Sequence, residues 1–263
     1  MSFKIVPAVK DETGVKYLFF NWDEPFNWKD CLLKYRSFYL DMVFVTCSET
    51  LNKYLENGVK KAVCLYPGFS TKHHYKITDI NYEEFQKYDC DISICCTNLY
   101  EDEEKYPHQY INRRKLIDDI YNNQEKCKYI FHIYGPKYLE EIYPKSYKGF
   151  VQYNEQNKVF NYSRINLCTH VIYNQGGYLN ERMFLMGASH GLILVDPVKD
   201  IKKIFTPNKD IILLEKDNYL NQIQNILKNY KSYAKIKNNI GEKCYKLYTY
   251  DKWAEIIYNS IIS

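Results

Sequence analysis

No apolar run in this 263-residue chain approaches the roughly 18 residues that a membrane-spanning helix needs. The N-terminus, MSFKIVPAVKDETG, lacks the apolar core of a secretory signal. Charge of one sign is also scarce in excess: 36 Lys and Arg against 32 Asp and Glu leave a net +4. That is too small and too dispersed for a nucleic-acid track. The most basic run, KNYKSYAKIKNN, reads as a solvated helix face. None of the nine cysteines forms a CxxC pair, and Cys90, Cys95 and Cys96 have no second cluster at zinc-like spacing. Free, buried thiols in a reducing compartment fit this usage. A G-x-x-x-x-G-K loop is missing, which excludes a P-loop NTPase. No nucleophile elbow or Ser–His–Asp series supports a hydrolase. These absences lead us to expect a cytoplasmic protein, at most peripheral to a membrane, with no membrane span, no nucleic-acid partner and no bound metal.

What is present is an ordinary globular composition, 46% hydrophobic and 26% charged, long enough for one large or two small domains. Its 28 tyrosines, with many Lys, Asn and Ile, read first as the bias of an AT-rich genome, such as that of a large DNA virus, and second as a stacking surface.

Strand and helix patterns alternate. Residues 17–21, 42–47 and 62–65 read as strands. Between the last two, SETLNKYLENG reads as a helix capped by Ser48 and ended by Gly58. Tyr66-Pro67-Gly68 breaks the chain, and polar 69–88 reads as a linker between lobes. Strands follow at 91–97, 128–134, 149–151, 165–172, 191–195 and 210–214, with helices at 109–125, 137–142, 154–164, from 180, and at 198–204. The tail from 217 is helical. This alternation predicts an α/β fold of parallel sheets covered on both faces. Ligands of such sheets bind beyond the carboxyl ends of the strands, here the loops after 97, 134 and 172.

The most informative stretch is the loop with Gly176 and Gly177, leading into the helix that bears Glu181 and Arg182. Unpaired N–H groups at a helix start, and the helix dipole, favour an anion such as phosphate. The same pattern also suits an ordinary loop–helix–strand unit of an α/β core.

The ordered series DISICCT, NRRKL, FHIYGPKY, YKGFV, YSRINLCTH, ERMFLMGASHGLILVD, IKKIF and DIILLEKDNYLNQIQNIL, closing on TYDKW, resembles the C-terminal half of CgeB-type (spore-maturation-like, group-1) glycosyltransferases of the GT-B class. YLFFNWDEPFNW and DMVFVTCSETLNKYLENGVKKAVCLYPGFS are similar to the last strands of that class's first lobe. The resemblance implies a GT-B-like fold: a truncated N-terminal Rossmann-like lobe (1–75), a complete nucleotide-sugar-binding lobe (76–240), and a C-terminal helix (241–263) packing back on the first lobe. It implies a nucleotide-diphosphate sugar as donor substrate, no cofactor, and a glycan or protein acceptor. By resemblance Arg113 or Arg114 follows the first strand of the second lobe toward the donor, Gly135 follows the strand that abuts the base, and loop 174–182 cradles the phosphates. The family's ribose-binding glutamate falls here at Leu185 or Met186, neither of which accepts a hydrogen bond as a carboxylate does. Glu181, about one helical turn earlier, is the nearest substitute. With a shortened first lobe, the alternatives are an active transferase and a non-catalytic nucleotide- or glycan-binding descendant, with a second copy or a partner protein covering that lobe.

Individual residues carry further expectations. Asp23 follows the first strand and either acts on the acceptor as a base or caps the next turn. Trp22, Phe26 and Trp28 read as core rather than as a sugar platform. His170, at a strand end, either hydrogen-bonds a phosphate or sugar hydroxyl or is structural. His190 before Gly191 reads as a helix C-terminal cap. Asp89-Cys90-Asp91 opens a strand, and the Glu101–Glu104 run is a solvated loop rather than a metal site.

Overall fold

The computed structural model describes residues 14–22, 40–99, 104 and 109–263. Asp23, Phe26, Trp28 and the 101–103 part of the acidic run lie outside the described residues. Two parallel sheets organise the rest. The first contains β1 (Leu18–Asn21), β2 (Met42–Val45) and β3 (Lys61–Cys64), in that spatial order. Successive strand residues point to opposite faces. Val43 and Val45 therefore pack with Tyr54 of α1 (Leu51–Glu56) and with Val59, while Met42 and Phe44 pack with Leu65, Trp253 and Ile257. Covered on both faces, β2 reads as the uninterrupted apolar run MVFV.

The second sheet holds β4 (Cys90–Cys95), β5 (Phe131–Tyr134), β6 (Ser163–Cys168), β7 (Ile193–Val195) and β8 (Ile212–Leu213). Their order is β5-β4-β6-β7-β8, all parallel. The chain leaves β4 to one side for β5, then crosses to its other side for β6. The carboxyl end of β4 is thus the topological switch point, where the crossovers diverge and leave a crevice.

Helices α2 (Tyr82–Tyr88), α3 (Arg113–Cys127), α4 (Tyr138–Ile142), α5 (Gln156–Tyr162), α6 (Glu181–Ala188), α7 (Ile201–Ile204) and α8 (Tyr219–Lys228) cover this sheet, followed by α9 (Ala234–Leu247) and α10 (Tyr250–Ile262). The side chain of Asn112 starts α3 by accepting the Arg114 and Lys115 N–H groups. Leu116, Ile117 and Ile120 then form its fully buried stripe, each contributing about 1.5–3 kcal/mol. Helix α6 ends where His190 takes the left-handed conformation (φ 53). Its N–H bonds Gly187 O at 2.9 Å and that of Gly191 bonds Met186 O at 2.9 Å, the paired cap that the His190-Gly191 reading anticipates. Among the described residues no helix is long and apolar enough to cross a membrane.

Several local expectations are corrected. Residues 69–88 are not all linker: Asn81 accepts the Glu83 and Glu84 N–H groups and starts α2. Phe69 is fully buried and pairs with Thr249. The 149–151 segment is not a strand. The pairing with β5 lies just before it, at the Ile133–Tyr147 bridge, and ends where Gly149 O accepts from Gly135 N at 3.1 Å, while Phe150 is left exposed. Ser163 and Arg164 begin β6 rather than ending a helix. Ser48 does not cap α1; its hydroxyl donates to Gly176 O at 3.4 Å instead.

Candidate functional site

The switch-point end of the second sheet gathers two arginines. Arg113 lies on the inward stripe of α3 and is 5% exposed. Its Nε donates to Thr169 Oγ1 at 2.8 Å, Nη1 to Asn98 O at 2.9 Å and Nη2 to Thr169 O at 3.3 Å, tying the loops after β4 and β6 together. Arg114 points elsewhere. It pairs with Asp118 at 3.0 Å and lies over the Tyr143 ring on the outer side of α3. The helical stripe selects Arg113: positions 113, 116, 117 and 120 share one face. Arg182, in the first turn of α6, donates to Cys95 O at 2.9 Å. The Cys95 and Cys168 thiols nearby are both pushed up to about 12 by burial, so neither is a thiolate nucleophile near neutrality.

Gly135 follows β5, beside the end of β4. A Cβ there would stand 2.2 Å from Cys96 O, so the position admits no side chain. It lines a recess of about 40 Å³ with Thr97, Val151 and Arg182, room for a few waters.

His170 follows β6. Its Nδ1 lies 2.6 Å from Asp196 Oδ1, and its N–H donates to Asp196 Oδ2 at 2.8 Å. The ring is fully buried, edge-on to Tyr178, and Nε2 has no hydrogen-bond partner among the described residues. His170 is therefore a clamp between the ends of β6 and β7 and presents no ring atom to the cleft surface. Asp196 carries no signal of its own in the sequence beyond being a carboxylate at a parallel strand end.

The glycine loop meets the first lobe. Gly176 O accepts from Glu49 N at 3.3 Å and from Cys47 Sγ at 3.2 Å. Gln175 Nε2 donates to Glu49 Oε2 at 2.7 Å, and Lys199 pairs with the other Glu49 oxygen. The bond from Lys199 holds the Glu49 carboxyl below its usual range. Gly177 takes φ 73, and a Cβ would fall 2.1 Å from Ser48 Oγ. In this structure both glycines serve the close approach of the two lobes.

Beside this contact the lobes part around a cleft of about 470 Å³. Trp22 and Thr46 line it from the first lobe, Tyr178 to Glu181 from the second, and Tyr250 and Trp253 from α10. Trp22 is 45% exposed, so the core reading of that residue is corrected. Asn180 spends its side chain on local structure: Oδ1 accepts Met183 N at 3.2 Å and Nδ2 donates to Thr169 O at 2.9 Å. The Glu181 carboxylate is exposed at the cleft wall and has no hydrogen-bond or ion-pair partner among the described residues. Crowding by the surrounding wall pushes its carboxyl above the usual range, although Arg182 draws it back. A second cavity of about 460 Å³, beside the start of α8, holds none of the candidate residues. Leu185 and Met186 are each 1% exposed, in the core. Asp89 ends α2, and Asp91 pairs with Arg164 at 3.1 Å at the start of β4. Among the described residues no group of three or more His, Cys, Asp or Glu is placed to hold a metal ion.

This arrangement of two parallel sheets, a switch-point crevice and a returning C-terminal helix has counterparts among known proteins. A family described as glycosyl transferase-like matches residues 113–259, more than half of the chain, and the chain belongs to that family. No curated protein matches. HepE from Anabaena, solved with UDP and glucose, is similar over 100% of this chain and 76% of its own, at 10% identity and a TM-score of 0.66. Sucrose-phosphate synthase from Thermosynechococcus elongatus is similar over 87% of this chain, at 16% identity and a TM-score of 0.61. TarM is similar over 86%, at 16% identity and a TM-score of 0.59. This chain spans 60% of the synthase and 44% of TarM. At these identities the likeness is one of fold, and the fold is GT-B.

Proposed function

We propose that this chain is a glycosyltransferase of the CgeB type, moving a sugar from a nucleotide-diphosphate donor to a glycan or protein acceptor. The observation that carries this reading is the carboxyl end of β4, where Arg113 bonds Asn98 O and Arg182 bonds Cys95 O, together with a cleft lined by both lobes at the start of α6. Support comes from two GT-B relatives of the same fold, HepE with UDP and glucose and the pneumococcal O-GlcNAc transferase GtfA with UDP and GlcNAc. The donor diphosphate sits near Arg182 and the start of α6, where preorganised positive groups stabilise the leaving group without a metal. His170 and Asp196 hold the loop that faces it. Asp23, next in sequence to Trp22, is the proposed base on the acceptor. Residues 1–75 and 76–240 are the two lobes, 241–263 the returning helix, and a second copy or a partner protein lies against the first lobe.

A second reading, a nucleotide or glycan binder without transfer activity, is favoured by Leu185 and Met186, whose buried apolar side chains stand where the family places a carboxylate. Calorimetry with UDP and GDP tests the donor site. Arg182→Ala should weaken binding by about 1.5–3 kcal/mol if it makes a charge-assisted bond. Unchanged affinity removes Arg182 from the site, and affinity that vanishes in EDTA overturns metal independence. Release of free sugar from a nucleotide sugar by the purified chain separates transferase from binder.

A further inference from the structure

The glycine loop that leads into α6 already holds an anion, and that anion belongs to the chain itself. Glu49 reaches over from the first lobe, in the short turn Ser48–Thr50 that follows β2. Its carboxylate accepts from Gln175 Nε2 at 2.7 Å, from Lys199 Nζ on the other oxygen and from the Gly176 backbone N–H. An ammonium, an amide and a backbone N–H converging on one carboxylate are also the donors that hold a phosphoryl group. The approach is close: a Cβ at Gly176 would stand 2.4 Å from Glu49 Oε1 and 2.5 Å from Asp200 Oδ2. The charge of Asp200 is offset by Lys203 at 2.9 Å.

The bonds run both ways. Gly176 O accepts from Glu49 N at 3.3 Å, from Cys47 Sγ at 3.2 Å and from Ser48 Oγ at 3.4 Å, so a segment of the first lobe wraps Gly176. A carboxylate and a phosphoryl group repel each other and cannot share these donors. The Lys199 and Glu49 side chains are 50% and 35% exposed, which makes their pair weak enough to exchange. We propose that Glu49 is a built-in competitor for this cradle, an autoinhibitory contact: a phosphate-bearing ligand takes Gln175, Gly176 and Lys199 only when the 47–49 segment has swung off Gly176. Ligand binding at the loop and this lobe contact then exclude one another. The proposal rests on the donor reading above and adds its regulation, since whatever loosens the first lobe from the glycine loop raises donor affinity.

The test is calorimetry of the full chain with UDP and, separately, with inorganic pyrophosphate. Glu49→Ala should tighten both about fivefold or more, because the ligand no longer competes with a tethered carboxylate. In that background Lys199→Ala should weaken both at least about tenfold, the loss of a charge-assisted contact. A pair with a purely structural role gives another pattern. Glu49→Ala would then leave affinity unchanged or weaker, and Lys199→Ala would add nothing once its partner is gone; either result overturns the proposal. Hydrogen exchange supplies a second readout. A bound ligand ordinarily slows exchange around its site, whereas here saturating ligand should speed exchange of the 47–50 peptide in the wild type, as Glu49 N loses Gly176 O. Slower or unchanged exchange also overturns it. Thermal melting checks that each variant is folded. If pyrophosphate behaves as stated and neither UDP nor GDP binds, the donor reading fails while the competitor stands. If UDP binds and Glu49→Ala does not tighten it, the donor reading stands and the competitor falls. Binding of no ligand by any variant removes both.

Discussion

The indole of Trp22 lies flat against that of Trp253, ring centroids 4.8 Å apart and planes 4° from parallel. One ring follows β1 of the first sheet, and the other belongs to α10, 231 positions later in the chain (253 − 22). Trp253 and Ile257 also pack on the Met42, Phe44 and Leu65 face, and Lys61 Nζ donates to Ser260 O at 2.7 Å. The last helix therefore supplies one cover of the first sheet.

Trp253→Ala should destabilise the protein by about 2–4 kcal/mol, since it removes a partly buried indole, its stack and its bond to Tyr66 O. At about 2–4 °C per kcal/mol for a chain of this size, the melting temperature should fall by roughly 4–16 °C. An unchanged melting temperature would refute the covering role. Deleting 244–263 should go further and give aggregation visible by light scattering, because the Met42–Phe44–Leu65 face would be bare.

The lobe contact at Gly177 can be separated from simple backbone strain. Gly177 and Gly149 both take positive φ, 73° and 91°. A Cβ at Gly149 meets nothing within 4 Å, whereas one at Gly177 falls 2.1 Å from Ser48 Oγ. Gly149→Ala should cost about 1 kcal/mol of conformational strain. Gly177→Ala should cost that and, in addition, loosen the contact of Ser48 and Glu49 with the loop, giving a clearly larger drop in melting temperature. Equal drops would show that the lobe contact contributes little.

Two buried histidines set an acid limit on stability. Burial pushes the His74 and His132 imidazoles down to about 4 from 6.5, with small further contributions from His73 and Lys148 respectively. A group whose folded pKa is depressed is protonated first in the unfolded chain. Stability is thus full above about pH 6.5 and falls as the pH drops toward 4, by at most on the order of 3 kcal/mol per histidine. Among the described residues neither His74 ring nitrogen has a hydrogen-bond partner, and the ring lies edge-on to Tyr153. His74→Phe should therefore flatten the slope of melting temperature against pH between 6.5 and 4 without lowering stability at pH 7.5. A slope as steep as wild type would rule His74 out as a source.

Much of the fold is readable in the sequence, because both sheets are parallel and their buried strands stand out as short β-branched runs between helical patterns. MVFV and ISIC are examples. Less visible is anything decided by partners far along the chain. The 149–151 segment has strand-like residues, but the pairing with β5 falls at Tyr147 and stops at the bond from Gly135 N to Gly149 O. Gly176 and Gly177 look like a phosphate loop, yet their nearest neighbours are Ser48 and Glu49, about 128 positions away. Trp22 is as apolar as a core residue, and only the return of Trp253 places it at a cleft. For the arginines the signal was present: the 113, 116, 117, 120 stripe points Arg113 inward and Arg114 out.

That difference gives a paired test. Arg113 is buried and gives three described bonds to Thr169 and Asn98, whereas Arg114 holds a half-exposed i,i+4 pair with Asp118. Removing Arg113 leaves Thr169 O and Asn98 O short of a charged donor inside the protein, a cost of about 2–4 kcal/mol. Removing Arg114 loses a surface pair of less than about 1 kcal/mol and a ring contact with Tyr143. Arg113→Ala should therefore lower the melting temperature well beyond Arg114→Ala. Because Thr169 precedes His170 and accepts from Asn180, the cap of α6, the same change should loosen the helix start on which the proposed donor diphosphate rests. Arg113→Ala is expected to weaken UDP at least about tenfold, and Arg114→Ala to leave it within about twofold. Arg113→Lys keeps the charge but not the fork that spans two loops, so it should recover stability only in part. UDP affinity that follows Arg114 rather than Arg113 would move the donor site to the outer side of α3.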